Sequence, residues 1–300
     1  MANYLQLLRP AQYSKNLFVF LPLLISGQLF VMEKLMEGAV AFVAFCLLSS
    51  SVYIFNDWRD LIEDQNHPVK KNRPLALGAV PVRHALTVAG LLAFGCAAIL
   101  ALLEFRVVFM FMLYLVVNLG YSMGLKKMAL IDVLIVASGI VFRFIAGGWA
   151  VNVAVESWLV ILTFIMALML ALGKRLDDAS LMPAADDDTI YYQYGYNTRI
   201  LESLLLVTSA LFLCSYLMFS MDQGMMRYFG TSKLFFSFGL VIAGTFRYLQ
   251  LVLFYRRTGY GGRHFFKDFF LLVVLTLWVS FFAGLAALKT FFPEYDWILL

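Results

Sequence analysis

The chain has 300 residues, of which 62% are hydrophobic and only 14% charged. A soluble domain would be about half apolar and about a quarter charged, so a water-soluble enzyme is excluded and an integral membrane protein is expected. The formal net charge of +4 is modest, and nothing in it points to a nucleic-acid partner.

A spanning helix needs about 20 apolar residues. Nine candidate spans follow in order: 17–32, 37–55, 84–103, 106–123, 130–151, 156–173, 199–220, 233–254 and 269–289. The first is short, contains Pro22, and extends back toward Leu5 if it is to cross. Such long apolar runs exclude a closed β-barrel. The expected fold class is all-α: a polytopic membrane protein of nine transmembrane helices forming one integral membrane domain, 1–300. Ahead of the first span stand Arg9 and Lys15, with no small-residue cleavage site behind them, so no cleavable signal is expected. Cys46, Cys96 and Cys214 lie inside apolar runs and read as packing residues.

Lys and Arg orient the chain. With the N-terminus in the cytoplasm, sixteen of them fall in inside segments and five outside, while Arg143 and Arg247 fall within spans. That bias needs an odd number of spans and puts the C-terminus outside. Two inside connections are long, 56–83 and 174–198. Both contain acidic clusters and both lie on the same side of the membrane.

The first of these loops opens with Asn56, Asp57, Asp60 and Asp64. At about 100° per residue, a helix over this stretch brings the four within an arc of roughly 100° and turns Trp58 away. Carboxylates crowded on one face repel unless a cation sits between them, and hard oxygen ligands suit Mg²⁺. The alternative is a solvated acidic helix end. Pro68 and Pro74 are expected to end the helix and hold the chain extended, so that Lys70 and Arg73 stand just beyond the acids. Acid-bound Mg²⁺ beside Lys and Arg is a way of holding a diphosphate. A headgroup-binding role suits Lys71 alone. His67 reads as a phosphate or helix-end donor.

Other polar groups punctuate the spans. Arg9, Gln12, Lys15 and Asn16 precede the first. Arg9 and Lys15 suit an anchor at the membrane surface, but the amides at i, i+4 add what an anchor does not need, so a substrate role for Lys15 and Asn16 stands equally beside the anchor reading. Tyr121 and Lys126 close the fourth span on the inside. Asp132 and Arg143 share a face of the fifth, about three turns apart and ~16 Å along the axis, too far to pair. A charge within the hydrocarbon, as at Arg143, faces the protein interior and is a functional candidate. Gly139, Gly147 and Gly148 suit close packing. Lys174 and Arg175 end the sixth span, ahead of Asp177, Asp178 and Asp186 to Asp188. This second echo suits a phosphate and a metal, although the last three acids read more simply as a solvated loop. Tyr191, Tyr192, Tyr194 and Tyr196 suggest an interfacial aromatic cluster. Arg247 is placed to snorkel toward the inner surface.

Together these residues resemble the UbiA superfamily of intramembrane prenyltransferases, whose first Asp-rich motif has the pattern Asn56-Asp57-x-x-Asp60-x-x-x-Asp64. More narrowly, the chain is similar to the decaprenyl-phosphate phosphoribosyltransferase branch in four features. These are Leu8-Arg9-Pro10-x-Gln12-x-x-Lys15-Asn16, His67-Pro68-x-Lys70-x-x-Arg73-Pro74, Tyr121-Ser122-x-x-Leu125-Lys126 with Asp132 and Arg143, and Lys174-Arg175. The resemblance implies a helical bundle around a lipid-open cavity, capped by the two cytoplasmic loops. It implies transfer of 5-phosphoribose from phosphoribosyl diphosphate to a polyprenyl phosphate, with release of diphosphate, in a cell-wall or polysaccharide precursor route at a bacterial inner membrane.

Under that resemblance Asn56, Asp60 and Asp64 hold Mg²⁺, and Asp57, Asp60 and Asp64 form the catalytic acids. Lys15, Asn16, His67, Lys70, Arg73, Tyr121, Lys126, Arg143, Lys174 and Arg175 contact substrate. One departure is Asp177-Asp178 where the branch carries Glu soon after Lys-Arg, which leaves a second metal open. An alternative enzyme uses a prenyl diphosphate donor with an aromatic or lipid acceptor. A transporter fits less well, because the acids gather on one face rather than at paired broken helices. A homo-oligomer is compatible with the sequence.

Overall fold

A computed structural model describes residues 2–66, 69–180, 196–254 and 268–291. In chain order it contains α1 (Ala2–Leu8), a 3-10 helix (Pro10–Phe20), α2 (Leu21–Ser26), α3 (Met32–Arg59), α4 (Leu61–Gln65), a second 3-10 turn (Lys70–Asn72), α5 (Val82–Leu100), α6 (Phe105–Met123), a third (Leu125–Lys127) and α7 (Ile131–Ala150). Then come α8 (Ser157–Ser180), α9 (Thr198–Met221), α10 (Gln223–Phe229), α11 (Phe236–Phe254) and α12 (Phe269–Phe291). Among the described residues eight helices are long and apolar enough to cross a membrane: α3, α5, α6, α7, α8, α9, α11 and α12. The region expected to form the first span is instead the 3-10 helix followed by α2, which stops where Gly27 takes a left-handed φ of 79°.

The chain forms two compact units. The first comprises Met1–Pro22, Glu33–Lys126 and Phe142–Ala154, and the second comprises Leu23–Met32, Lys127–Val141 and Val155–Leu300. In the first, Phe45 stacks on Phe111 with centroids 3.9 Å apart and meets Tyr114 edge-on. Around them pack Val19, Ala41, Ala44, Val107 and Ala146, all buried. Small residues bring backbones together where lipid supplies no hydrophobic drive between helices. Gly147 shows this most sharply: a Cβ there would fall 2.1 Å from the Val19 carbonyl oxygen. A separate cluster of Leu7, Ile54, Leu75, Val80, Ala85 and Ala89 seats the loop that follows α4.

In the second unit Leu172, Leu176, Leu201, Leu205 and Tyr248 form a buried core. Tyr216 is tied to Ser237 at 2.8 Å and accepts from Trp278 Nε1 at 2.9 Å. Helix starts follow the expected chemistry of short polar side chains capping free N–H groups. Asn197 accepts from Arg199 N at 2.8 Å, Asp222 from Met225 N at 2.9 Å and Asp268 from Leu271 N at 2.9 Å. Asp268 is also paired with Arg247 at 2.7 Å, which holds its carboxyl below the usual range. Arg247, expected to snorkel, therefore serves Asp268 and Gln250. Cys46 and Cys96 are buried and Cys214 is exposed.

Candidate active site

The acidic motif lies at the end of α3. The helix runs to Arg59, and Asp60 departs from helical geometry with φ −93° and ψ 6° before α4 begins. The expected single helix over 56–64 is therefore broken at Asp60. Register survives the break, because Asp60 N donates to Asn56 O at 2.9 Å and Asp64 N to Asp60 O at 2.7 Å. The stretch expected to be extended beyond Pro68 instead forms the 3-10 turn at Lys70–Asn72. Arg73 itself is extended (φ −69°, ψ 145°), as a residue before proline prefers. His67 and Pro68 lie outside the described residues.

Each acid of the motif meets a base. Asp57, only 2% exposed, accepts from Arg9 and from Arg73 Nη1, the latter at 2.9 Å. The same Arg73 Nη1 donates to Asp64 Oδ2 at 2.6 Å. Asp60 is paired with Lys126, which is buried in the short 3-10 turn after α6. Burial pushes the Asp64 carboxyl above its ordinary range, against the pull of Arg73, with Asp57 reinforcing the rise and Lys70 opposing it. Asn56 Oδ1 is 3.1 Å from Ser122 Oγ, which is also 3.0 Å from the Asn118 carbonyl, so one hydroxyl proton serves the two in turn. Tyr121 sits half-buried beside Ser122 in the last turn of α6.

Asn16 and Arg143 meet deeper in the same unit. Arg143 Nε donates to Asn16 Oδ1 at 2.6 Å, Nη2 to Tyr114 OH at 3.1 Å, and the guanidinium lies over the rings of Tyr114 and Phe45 at 4.6 and 5.4 Å. Aromatic faces and an amide thus replace water around a buried charge. Asn16 also donates to Cys46 Sγ at 3.2 Å. Lys15 makes no ion pair among the described residues. Burial, then the charges of Arg143 and Arg9, draws its ammonium down to about 8.

The remaining predicted residues belong to the second unit. Arg175 Nε is 2.5 Å from Asp132 Oδ2, and its Nη1 is 3.7 Å from Asp178. Tyr196 donates to Asp132 Oδ1 and accepts from Leu130 N at 2.6 Å. Asp132, fully buried, thus binds Arg175 and Tyr196, whereas Arg143 belongs to the first unit. Lys174 is exposed on α8. Asp186 to Asp188, Tyr191, Tyr192 and Tyr194 lie outside the described residues. An open groove of about 520 Å³ on the second unit is lined by Ala243, Phe246, Arg247, Gln250 and Phe270. None of these is an acid of the motif.

The donor set suits a shared Mg²⁺. Among the described residues no three His, Cys, Asp or Glu side chains come together as a cage. Mg²⁺ commonly takes one or two carboxylates and completes its shell with water and substrate phosphate oxygens. Asn56, Asp60 and Asp64 could supply oxygens of that kind, with Arg73 and Lys126 paired to the acids beside them.

The model of the UbiA prenyltransferase family matches residues 20–274. The chain belongs to this family. It is thus an integral membrane protein, in keeping with its eight apolar helices. The UbiA fold is also seen in a UbiA homolog from Archaeoglobus fulgidus bound to DMAPP and Mg²⁺, with TM-score 0.71 and 16% identity over 95% of this chain and 99% of that one. Among curated relatives, the decaprenyl-phosphate phosphoribosyltransferase of Mycolicibacterium smegmatis is 37% identical over 184 residues, covering 60% of this chain and 58% of that protein. The protein of the same name from Corynebacterium glutamicum is 34% identical over 180 residues, 56% of this chain and 52% of that one. The chain thus spans a little over half the length of the curated relatives it matches.

Sequence reasoning assigned no site role to Arg9, Ser122 or Tyr196. Arg9 looked like an anchor and Tyr196 like one of several interfacial tyrosines. The one available signal was Arg9-Pro10, a pre-proline residue. Its partner is 48 positions away.

Proposed function

We propose that this UbiA-family protein transfers 5-phosphoribose from phosphoribosyl diphosphate to a polyprenyl phosphate and releases diphosphate. The observation that carries the reading is the interleaving of acids and bases in the first unit: Asp57 with Arg9 and Arg73, Asp64 with Arg73, Asp60 with Lys126. A site made only for a metal has no use for these bases, and one made only for an anion has no use for the acids. A metal diphosphate uses both. The names of the relatives from Mycolicibacterium smegmatis and Corynebacterium glutamicum support the sugar donor and lipid acceptor.

The chemistry follows from charge. A phosphate oxygen of the acceptor attacks carbon 1 of the ribose, the bond from carbon 1 to the diphosphate oxygen breaks, and the electron pair leaves with the diphosphate. The acceptor is already an anion, so no general base is needed. Mg²⁺, held by Asn56, Asp60 and Asp64, would neutralise the leaving group. Arg73, Lys126 and Lys70 cover the remaining phosphate charge. Carboxylates of the motif balance positive charge developing at carbon 1. Lys15, next to Asn16 and close to Arg143, is placed to meet the acceptor phosphate. The N-terminus and the site face the cytoplasm of a bacterial plasma membrane, following the Lys and Arg bias.

The test supplies membranes holding the protein with polyprenyl phosphate, Mg²⁺ and phosphoribosyl diphosphate labelled in the ribose. Label entering the lipid phase only when acceptor and Mg²⁺ are present supports the reading. No label entering, while a prenyl diphosphate supplied in a parallel assay is consumed, contradicts it in favour of a prenyl donor.

A further inference from the structure

Arg9 is built into the motif by three separate features. Its guanidinium donates to Asp57 Oδ1, the same oxygen that accepts from Arg73 Nη1 at 2.9 Å. Its charged carbon lies 5.3 Å from the centre of the Tyr53 ring. Its backbone is left-handed (φ 54°, ψ 56°) although it is neither glycine nor asparagine and precedes Pro10. Strain of this kind persists only where the surroundings over-determine it, and it gathers at ligand clamps. Here the turn is fixed by Arg9 N donating to Gln6 O at 3.2 Å and Gln12 N to Arg9 O at 2.9 Å. A surface anchor needs none of this.

The donor count sharpens the point. A guanidinium has five N–H donors. Among the described residues the Arg9 side chain makes one hydrogen bond, to Asp57, and it is 23% exposed. Asp57 by contrast is 2% exposed and its Oδ1 is shared by two guanidinia. Both guanidinia thus converge on that single oxygen. Arg9 and Arg73 are balanced by Asp57 and Asp64, and Lys15 nearby leaves the cluster with a surplus positive charge. An anion with several oxygens discharges that surplus and uses the open donors.

We propose that Arg9 is a further diphosphate-binding residue and that Asp57 is its positioning residue, holding Arg9 and Arg73 side by side instead of ligating metal. This rests on the donor site proposed above. The division of labour in the motif is then Asn56, Asp60 and Asp64 toward the metal, and Asp57 toward the two arginines.

The experiment uses the full-length protein purified in detergent, as wild type, Arg9→Ala, Arg9→Lys, Asp57→Asn and Asp60→Asn. Calorimetry measures inorganic pyrophosphate binding with Mg²⁺, and each variant's thermal midpoint reports that it is folded. Arg9→Ala should weaken pyrophosphate binding by about tenfold or more, as loss of a charge-assisted contact does. Arg9→Lys should restore only part, because lysine lacks the planar fork. In the transfer assay Arg9→Ala should raise KM for the donor more than it lowers kcat. Asp57→Asn should weaken pyrophosphate binding while leaving the Mg²⁺ concentration for half-maximal activity in place, and Asp60→Asn should move that concentration upward.

A folded Arg9→Ala or Arg9→Lys variant that binds pyrophosphate as the wild type does would overturn the role of Arg9. An Asp57→Asn variant whose Mg²⁺ dependence shifts as Asp60→Asn does would overturn the role of Asp57. Pyrophosphate is common to any diphosphate donor. If Arg9→Ala weakens its binding but the wild type transfers no phosphoribose, the donor assignment fails and Arg9 keeps its role. If transfer is intact and Arg9→Ala has no effect, the reverse holds. A wild type that binds no pyrophosphate overturns both.

Discussion

The Arg73 guanidinium donates to the buried Asp64 carboxylate at 2.6 Å, yet Asp64 still titrates above its ordinary range. Desolvation therefore outweighs the ion pair. A raised folded-state pKa means that the ionised form is better accommodated in the unfolded chain. The contribution of Asp64 to stability is fully present below about pH 4, its unfolded value, and is lost as pH rises through the higher folded value. At neutral pH the ionised carboxylate is a cost, which the proposed metal-binding role would account for.

Asp64→Asn should therefore keep or raise the thermal midpoint at pH 7.5 while lowering transfer activity by on the order of 10²-fold. The difference in midpoint from wild type should shrink as pH falls toward 5. Scanning fluorimetry over that range checks both parts. A midpoint lowered by more than about 5 °C at pH 7.5 would show that Asp64 serves chiefly as a structural ion-pair partner.

Lys126 occupies Asp60, so it competes with a divalent cation for that oxygen. Lys126→Met should tighten Mn²⁺ binding measured by electron paramagnetic resonance without diphosphate. On the proposed reading Lys126 also covers phosphate, so the same change should raise KM for the diphosphate donor. Loosened Mn²⁺ binding would mean that Lys126 orients Asp60 instead of competing for it.

Gly147 and Gly239 make a matched pair. A Cβ at Gly147 meets the Val19 carbonyl oxygen at 2.1 Å, whereas one at Gly239 meets nothing within 4 Å. Gly147→Ala should destabilise the protein by about 3 kcal/mol or more through backbone displacement. Gly239→Ala, in α11, should be neutral or stabilise by about 0.5 kcal/mol. Thermal midpoints in one detergent provide the comparison.

Tyr196 joins Asp132 to the Leu130 N–H, and Leu130 itself carries a left-handed φ of 68°. Tyr196→Phe removes the hydroxyl from both partners and leaves the buried Asp132 carboxylate without that donor. A loss of about 1–3 kcal/mol is expected, seen as a lowered midpoint and faster hydrogen exchange at Leu130.

Much of the fold was legible because lipid enforces it. Runs of about 20 apolar residues have few alternatives to spanning helices, and α5, α6, α7 and α9 fall close to their expected limits. The 17–32 stretch was harder to read. It lacks the length of the others, and Pro22 together with Gly27 at positive φ divides it into a 3-10 helix and a short α-helix. Helical arithmetic set Asn56, Asp57, Asp60 and Asp64 on one arc, and backbone bonds run from Asp60 to Asn56 and from Asp64 to Asp60 across the break. It had no means of separating Asp57 from the rest, because the difference lies in Arg9, a residue on another helix end. Arg143 was legible as interior from the cost of a charge in hydrocarbon. Its actual neighbours Asn16, Tyr114 and Phe45 come from three other segments, and periodicity within one helix carries no information about them.

The central claim is that the acids and bases of Asn56–Arg73 hold the diphosphate of a phosphorylated sugar. Mass spectrometry of the lipid product tests it most directly, using purified wild type and Asp60→Asn with phosphoribosyl diphosphate, polyprenyl phosphate and Mg²⁺. The wild type should give a polyprenyl phosphate heavier by one phosphoribosyl group, and Asp60→Asn should give almost none. An unchanged acceptor mass with the wild type, or equal product from Asp60→Asn, would contradict the account.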